Sequence, residues 1–114
     1  MAALPHQLSA ITLDDLEPCD SFGEAIGELP AQRDSCFYDN NGVFMGTWEC
    51  EVGKLKLDLE ITEFCHILQG HWVLTDEEGT VTEVKAGDSF AFPKGWKGTA
   101  EVIEKVRKVY TMIE

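Results

Sequence analysis

The stretch KLKLDLEI, Lys54 to Ile61, alternates strictly: Leu55, Leu57, Leu59 and Ile61 fall on one face, and Lys54, Lys56, Asp58 and Glu60 on the other. A period of two marks a strand with one side on a core and one in water. GVFMGTWEC reads as a strand ahead of it; EFCHILQG and HWVLTD read as two strands behind it, with Gly70 at the bend between them. TDEEGT is a polar hairpin turn, followed by a strand at VTEV, a turn at KAGD and a strand at SFAFP. The closing GTAEVIEKVRKVYTMIE is expected to form one or two strands rather than a helix, because its valines and tyrosine favour a pleated surface. Turn chemistry also stands at Asp39-Asn40 and Asn41-Gly42. Short strands broken this often predict an all-β sandwich or barrel.

The pattern changes near residue 34. Thr12 ahead of LDDLEP supplies a helix cap and an acidic first turn that Pro18 halts, and SFGEAIGELP offers a second turn weakened by two glycines. Residues 1–33 are therefore expected to form a short helical or irregular N-terminal arm, and residues 34–114 the barrel. Such an arm serves to cover an open sheet edge.

Composition narrows the partners. With 114 residues the chain makes one domain. Its 9 basic against 21 acidic side chains give a net charge of −12, which repels phosphate, so neither nucleic acid nor an anionic membrane surface is an expected partner. No apolar run approaches the roughly 18 residues of a spanning helix. The opening MAALPHQLSA lacks the basic and long apolar parts of a signal peptide, so a cytoplasmic location is expected. Cys19, Cys36, Cys50 and Cys65 contain no C-x-x-C pair and are expected to be free thiols.

Three stretches, in their order and spacing, resemble a known family. GTWECEVG resembles its first strand. EFCHILQGHWVLTDEEG, with Glu63 and Gly70 at E-x6-G, resembles the end of the first cupin motif. AGDSFAFPKGW, with Gly87, Pro93 and Gly95 at G-x5-P-x-G, resembles the second. From about Gly46 to Glu114 the chain is similar to small single-domain cupins, of the branch related to the ureidoglycine aminohydrolase cupin domain and the ethanolamine-utilisation cupins. The resemblance implies a cupin (RmlC-like) antiparallel β-barrel, or jelly roll.

It also implies where a metal would sit. Metal-binding cupins place H-x-H three or four residues before the motif glutamate and a further histidine after P-x-G-x-x. Those positions hold Leu57 and Leu59, or Lys56 and Asp58 in the other spacing, and then Gly98. The alternation turns the leucines inward. Of the usual four ligands only Glu63 remains, and one carboxylate does not hold a divalent ion that needs three or four. No metal and no other cofactor is expected. Cys65 and His66 are strand neighbours and point to opposite faces; His6, His66 and His71 are read as structural or solvent-facing.

Inside the barrel, Glu63 and Cys65 should point inward among Leu57, Leu59, Phe90 and Phe92, with Trp48 and Trp96 near the mouth. Lys108, Tyr110 and Met112 share one face of the closing strand. If that face turns inward, Lys108 would neutralise Glu63 and Tyr110 would donate a hydrogen bond. Two readings of Glu63 stay open: an acid or base in a small-molecule pocket, or a carboxylate that satisfies backbone donors at a strand end. Three functions follow. The first is a barrel that binds a small molecule of unknown identity without the usual metal. The second, implied by the family, is a metal-dependent, ureidoglycine aminohydrolase-like enzyme acting on a small nitrogenous metabolite. The third is a non-catalytic structural or regulatory cupin. Phe64, His66 and Leu68 alternate onto the outer face, which together with the arm predicts a homodimer.

Overall fold

The computed structural model describes Pro5 and residues 16–114; His6 and the expected helix start at Thr12 lie outside them. Nine strands follow in order: β1 (Glu17–Pro18), β2 (Glu24–Ala25), β3 (Gln32–Asn40), β4 (Val43–Cys50), β5 (Gly53–Asp58), β6 (Thr62–Asp76), β7 (Val81–Lys85), β8 (Ser89–Phe92) and β9 (Lys97–Ile113). No helix occurs among the described residues, and none is long and apolar enough to cross a membrane. The helical turn expected in SFGEAIGELP is instead irregular chain around the short strand β2. Its glycines and proline favour neither element strongly, so the ladder bonds offered by a neighbouring sheet edge decide.

The two long strands organise everything else. β6 and β9 pair antiparallel from Thr62↔Ile113 to Asp76↔Gly98, and each is shared between two halves of one curled sheet. In the first half β9 also pairs with β4 and β6 with β8. In the second β9 pairs with β5 and β6 with β7. EFCHILQG and HWVLTD are thus one bent strand rather than two. Register shifts between Ile67 and Trp72 mark the bend. Gly70 makes it possible: its φ is +96°, and a Cβ there would stand 2.2 Å from the Lys105 carbonyl oxygen. Any side chain would force the two strands apart. The bend folds the halves face to face, as in a jelly roll.

The alternation in KLKLDLEI holds in space: Leu55, Leu57 and Leu59 are buried, and Lys56, Asp58 and Glu60 are exposed. They join Trp48, Ile67, Trp72, Leu74, Val84, Phe92, Val102 and Val106 in one core. Trp48 from the first half and Trp72 from the second meet with ring centroids 5.4 Å apart. Full burial of each such side chain stabilises by about 1.5–3 kcal/mol, so this inter-sheet layer holds the barrel closed. Asp39 and Asn40 belong to β3, and the turn itself falls on Asn41-Gly42, where Asn41 has φ +52°.

Along β1-β3-β4-β9-β5-β2, the two short strands of the arm stand at the ends: β1 on β3 and β2 on β5. Each gives an otherwise unpaired edge its partner. On the outer face of β3, β4 and β9, Glu49 is 3% exposed between its ladder neighbours Arg33 and Arg107. Its Oε1 accepts from Arg33 at 2.5 Å and faces Lys105 Nζ at 3.3 Å, and its Oε2 accepts from Arg107 at 2.5 Å. Burial alone would raise its pKa; hydrogen bonds from Arg33, Arg107 and Lys105 overcome that and hold it at about 2.

Candidate functional site

Inside the barrel, β6 buries Glu63, Cys65 and Ile67, and β9 buries Val106, Lys108 and Tyr110. Period-two alternation puts each set on one face. Ladder pairing sets Ile67 opposite Lys108, Cys65 opposite Tyr110 and Glu63 opposite Met112. Lys108 therefore starts two inward positions away from Glu63, and only a long side chain spans the gap. Its Nζ lies 2.5 Å from Glu63 Oε2, and both side chains are 0% exposed. The Cys65 thiol donates to the same oxygen at 3.1 Å. Glu63 Oε1 and Trp72 Nε1, both buried, have no hydrogen-bond partner among the described residues.

A pair this deep is costly, because each ion loses its hydration, worth several kcal/mol even after relaxation. Aromatic rings offset part of the ammonium's loss. Nζ stands 4.2 Å from the ring centroid of Phe22, 4.6 Å from Trp48, 5.1 Å from Trp72 and 5.9 Å from Tyr110. Each desolvated ring contact of this kind contributes about 1–2 kcal/mol. Phe22 reaches the ammonium from the arm, which Gln32 fastens: Gln32 Oε1 accepts from Phe22 N at 2.7 Å and from Trp48 Nε1 at 3.3 Å, while its Nε2 donates to Ser21 Oγ at 2.9 Å.

Beside the pair a cleft of about 270 Å³ opens, lined by Cys19, Asp20, Ser21, Phe22, Asp34, Trp48, Lys108, Tyr110 and Met112. One wall is arm and the other is barrel. Burial raises the Asp34 carboxyl above its ordinary range. Burial likewise pushes the thiols of Cys65 and Cys19 up; for Cys65 the Lys108 charge opposes this and Glu63 adds to it, and for Cys19 Asp34 and Asp20 add to it. Cys50 is pushed up to about 12, burial again being the main cause. These thiols stay protonated near neutrality and are not poised as nucleophiles. A larger groove of about 550 Å³ lies elsewhere, between residues 26–31 and the β5–β9 edge, and meets none of these groups.

Of the residues expected at the site, Glu63, Cys65 and Lys108 are in direct contact, and Trp48 and Tyr110 flank the ammonium. No hydrogen bond joins Tyr110 to Glu63 among those described. Trp48, Lys108 and Tyr110 line the cleft, whereas Glu63, Leu57, Leu59, Cys65, Phe90, Phe92 and Trp96 do not, so the carboxylate expected in the pocket lies sealed behind Lys108 instead. Phe90, Phe92 and Trp96 instead pack on one another at centroid distances of 5.1 Å, and Leu57 and Leu59 are core. Phe22, Gln32 and Asp34 were not anticipated. They precede the motifs, and nothing local marks them, because their partners lie up to 86 residues away at Lys108.

The residues do not fit a divalent ion. The three positions of the family's histidines hold Leu57, Leu59 and Gly98, and no group of three or more His, Cys, Asp or Glu side chains is placed to hold a metal among the described residues. Gly98 is closed to a side chain as well: a Cβ there would meet the Thr75 carbonyl oxygen at 2.1 Å and the Trp96 ring at 2.7 Å.

Comparisons with known proteins agree with the fold. Several solved structures share the fold. A putative ethanolamine utilization protein Q from Salmonella typhimurium LT2 is 19% identical with a TM-score of 0.65, over 87% of this chain and 94% of that one. A DUF861-family protein of unknown function from Pseudomonas syringae pv. tomato DC3000 is 23% identical with a TM-score of 0.79. That match covers 88% of this chain but only 45% of the other, so the chain spans less than half of that relative. A second DUF861-family protein, from Thermotoga maritima, is 38% identical with a TM-score of 0.55, over 56% of this chain and 73% of that one. No curated protein matches. The model of the EutQ-like cupin domain matches residues 39–110, more than half of the chain, and the protein belongs to that family.

Proposed function

We propose that the protein is a metal-independent, cytoplasmic cupin that binds a small molecule in the cleft between arm and barrel. The observation that carries this reading is the cleft itself: a concave space of about 270 Å³ that meets Lys108, Trp48, Tyr110 and Asp34. Binding sites take this form, mostly apolar walls with a few placed polar groups. The thiols stay protonated, and Glu63 is held by Lys108 and Cys65. Those features favour binding over nucleophilic catalysis. The leucines and glycine at the histidine positions count against a metal-dependent, ureidoglycine aminohydrolase-like activity. The outer stripe of Phe64, exposed, with His66 and Leu68, both half-buried, is the basis for proposing a homodimer.

Native mass spectrometry of the purified protein, with thermal-shift screening against small metabolites and elemental analysis, tests the reading. A retained or stabilising small molecule whose effect is lost on Trp48→Ala supports it. Close to one manganese, zinc, iron or nickel per chain, removed by chelator with loss of stability, would overturn it. So would a full metabolite panel that leaves the melting temperature unmoved.

A further inference from the structure

The family's motif glutamate is kept here while the histidines that would share its metal are gone, which leaves a fully buried carboxylate in need of a cation. Lys108 meets that need from within. Its ammonium sits 2.5 Å from Glu63 Oε2 and under four ring centroids at 4.2, 4.6, 5.1 and 5.9 Å. The rings come from the arm, from β4, from β6 and from β9, so they enclose the ammonium from separate elements. Phe22 and Trp48 are tilted 54° to each other, and Trp48 and Trp72 38°, so their faces converge rather than stack. Converging aromatic faces attract a cation through their ring quadrupoles, and a carboxylate at one side adds an acceptor for an N–H, which a primary ammonium has and a quaternary one lacks.

We propose that Glu63 with Phe22, Trp48, Trp72 and Tyr110 forms an alkylammonium-binding site occupied by the chain's own Lys108, a built-in cation that takes the place of a metal ion. One carboxylate is too few ligands for Mn²⁺ or Zn²⁺ in any case, and Lys108 supplies the balancing charge in their place. The enclosure selects a compact ammonium that donates to an oxygen; sodium lacks the ring contacts, and tetramethylammonium has no N–H to donate. The proposal stands whether or not the neighbouring cleft takes a ligand.

Removing the side chain beyond Cβ tests it, because n-propylammonium has the three carbons and nitrogen that Lys108→Ala deletes. The full chain carrying Lys108→Ala should melt about 15 °C or more below the parent. Millimolar n-propylammonium should raise that melting temperature by about 5 °C or more in a saturable way. Sodium or tetramethylammonium at equal ionic strength should shift it by less than about 1 °C, and n-propylammonium should do nothing for the parent or for the double variant Glu63→Gln with Lys108→Ala. A response shared by sodium, rescue that persists without Glu63, or a Lys108→Met variant as stable as the parent would each overturn the proposal. If Lys108→Ala does not fold, failure of n-propylammonium to restore folding counts against it. The parent then supplies a second reading: with nitrogen-15 lysine, the Lys108 Nζ resonance should show a charged ammonium with slowly exchanging protons, and a neutral amine there would refute the assignment.

Discussion

Two buried carboxylates in this barrel have opposite surroundings. Glu49, on the outer face, is 3% exposed and meets three cations, of which Arg33 and Lys105 are each 39% exposed and Arg107 17%. Glu63, on the inner face, is 0% exposed and meets one ammonium that is also 0% exposed. Glu49 has partners for both oxygens, whereas Glu63 Oε1 has none among the described residues. The outer cations keep water within reach and can turn to it if Glu49 is lost. Lys108 is 0% exposed and has no water at hand where it sits. Burial of the carboxylate is alike at the two sites, and what differs is the freedom of the cation. That freedom sets what each pair does: the outer one adds an electrostatic clamp across β3, β4 and β9, and the inner one makes folding depend on a matched pair.

The largest expected effect follows from that contrast. Glu63→Gln leaves an ammonium uncompensated inside the core and should lower the unfolding free energy by about 3–5 kcal/mol. Glu49→Gln, whose cations rehydrate, should cost only about 1–3 kcal/mol. Urea denaturation of the two variants side by side decides this, and equal losses would break the comparison. Next in size is a recovery: Glu63→Leu combined with Lys108→Met removes both ions in near-isosteric form and should come back to within about 2 kcal/mol of the parent. A double variant as unstable as Glu63→Gln would mean that the enclosure needs its charge for more than balance.

Acid separates the two sites further. Glu49 is held at about 2 in the folded state, below an unfolded value of about 4.3. A depressed carboxylate stabilises the fold above its unfolded pKa and loses that contribution as pH falls through its folded one. The stability difference between the parent and Glu49→Gln should therefore be full at pH 6, shrink below about pH 4.5, be mostly lost at about pH 2 and vanish only below that. A difference that persists unchanged at pH 2 would show that packing, not charge, explains the Glu49 effect. The smallest effect belongs to Asp34, whose pKa burial raises. For a carboxylate the raised value means that its charged form costs stability near neutral pH, a cost that fades as pH falls. Asp34→Asn should thus stabilise slightly, by less than about 1 kcal/mol after solvent screening, in thermal melts at pH 7 and not at pH 4.

The amino-acid order by itself determined the faces of the barrel strands and where most of them lie, though not the short strands of the arm. Leu55, Leu57 and Leu59 declare an inward side because a pleated strand has only two faces and the core accepts only one kind of residue. The same rule sends Glu63, Cys65 and Lys108 inward, so the members of the buried pair were legible, as were the motif glycines and the absence of the histidines. The bend at Gly70 was legible too, though not that one strand runs through it, since bulges spend a residue without ending the ladder. Tertiary structure alone decided the rest. Phe22 and Gln32 lie in a segment without periodicity, and their roles arise when the arm docks on sheet edges more than ten residues away in sequence. Glu49 looks like any outward strand residue until β3 and β9 bring Arg33 and Arg107 to its two sides. Local alternation selects a face; which charge meets which, and whether water can reach it, depends on strand order and docking, which local patterns do not encode.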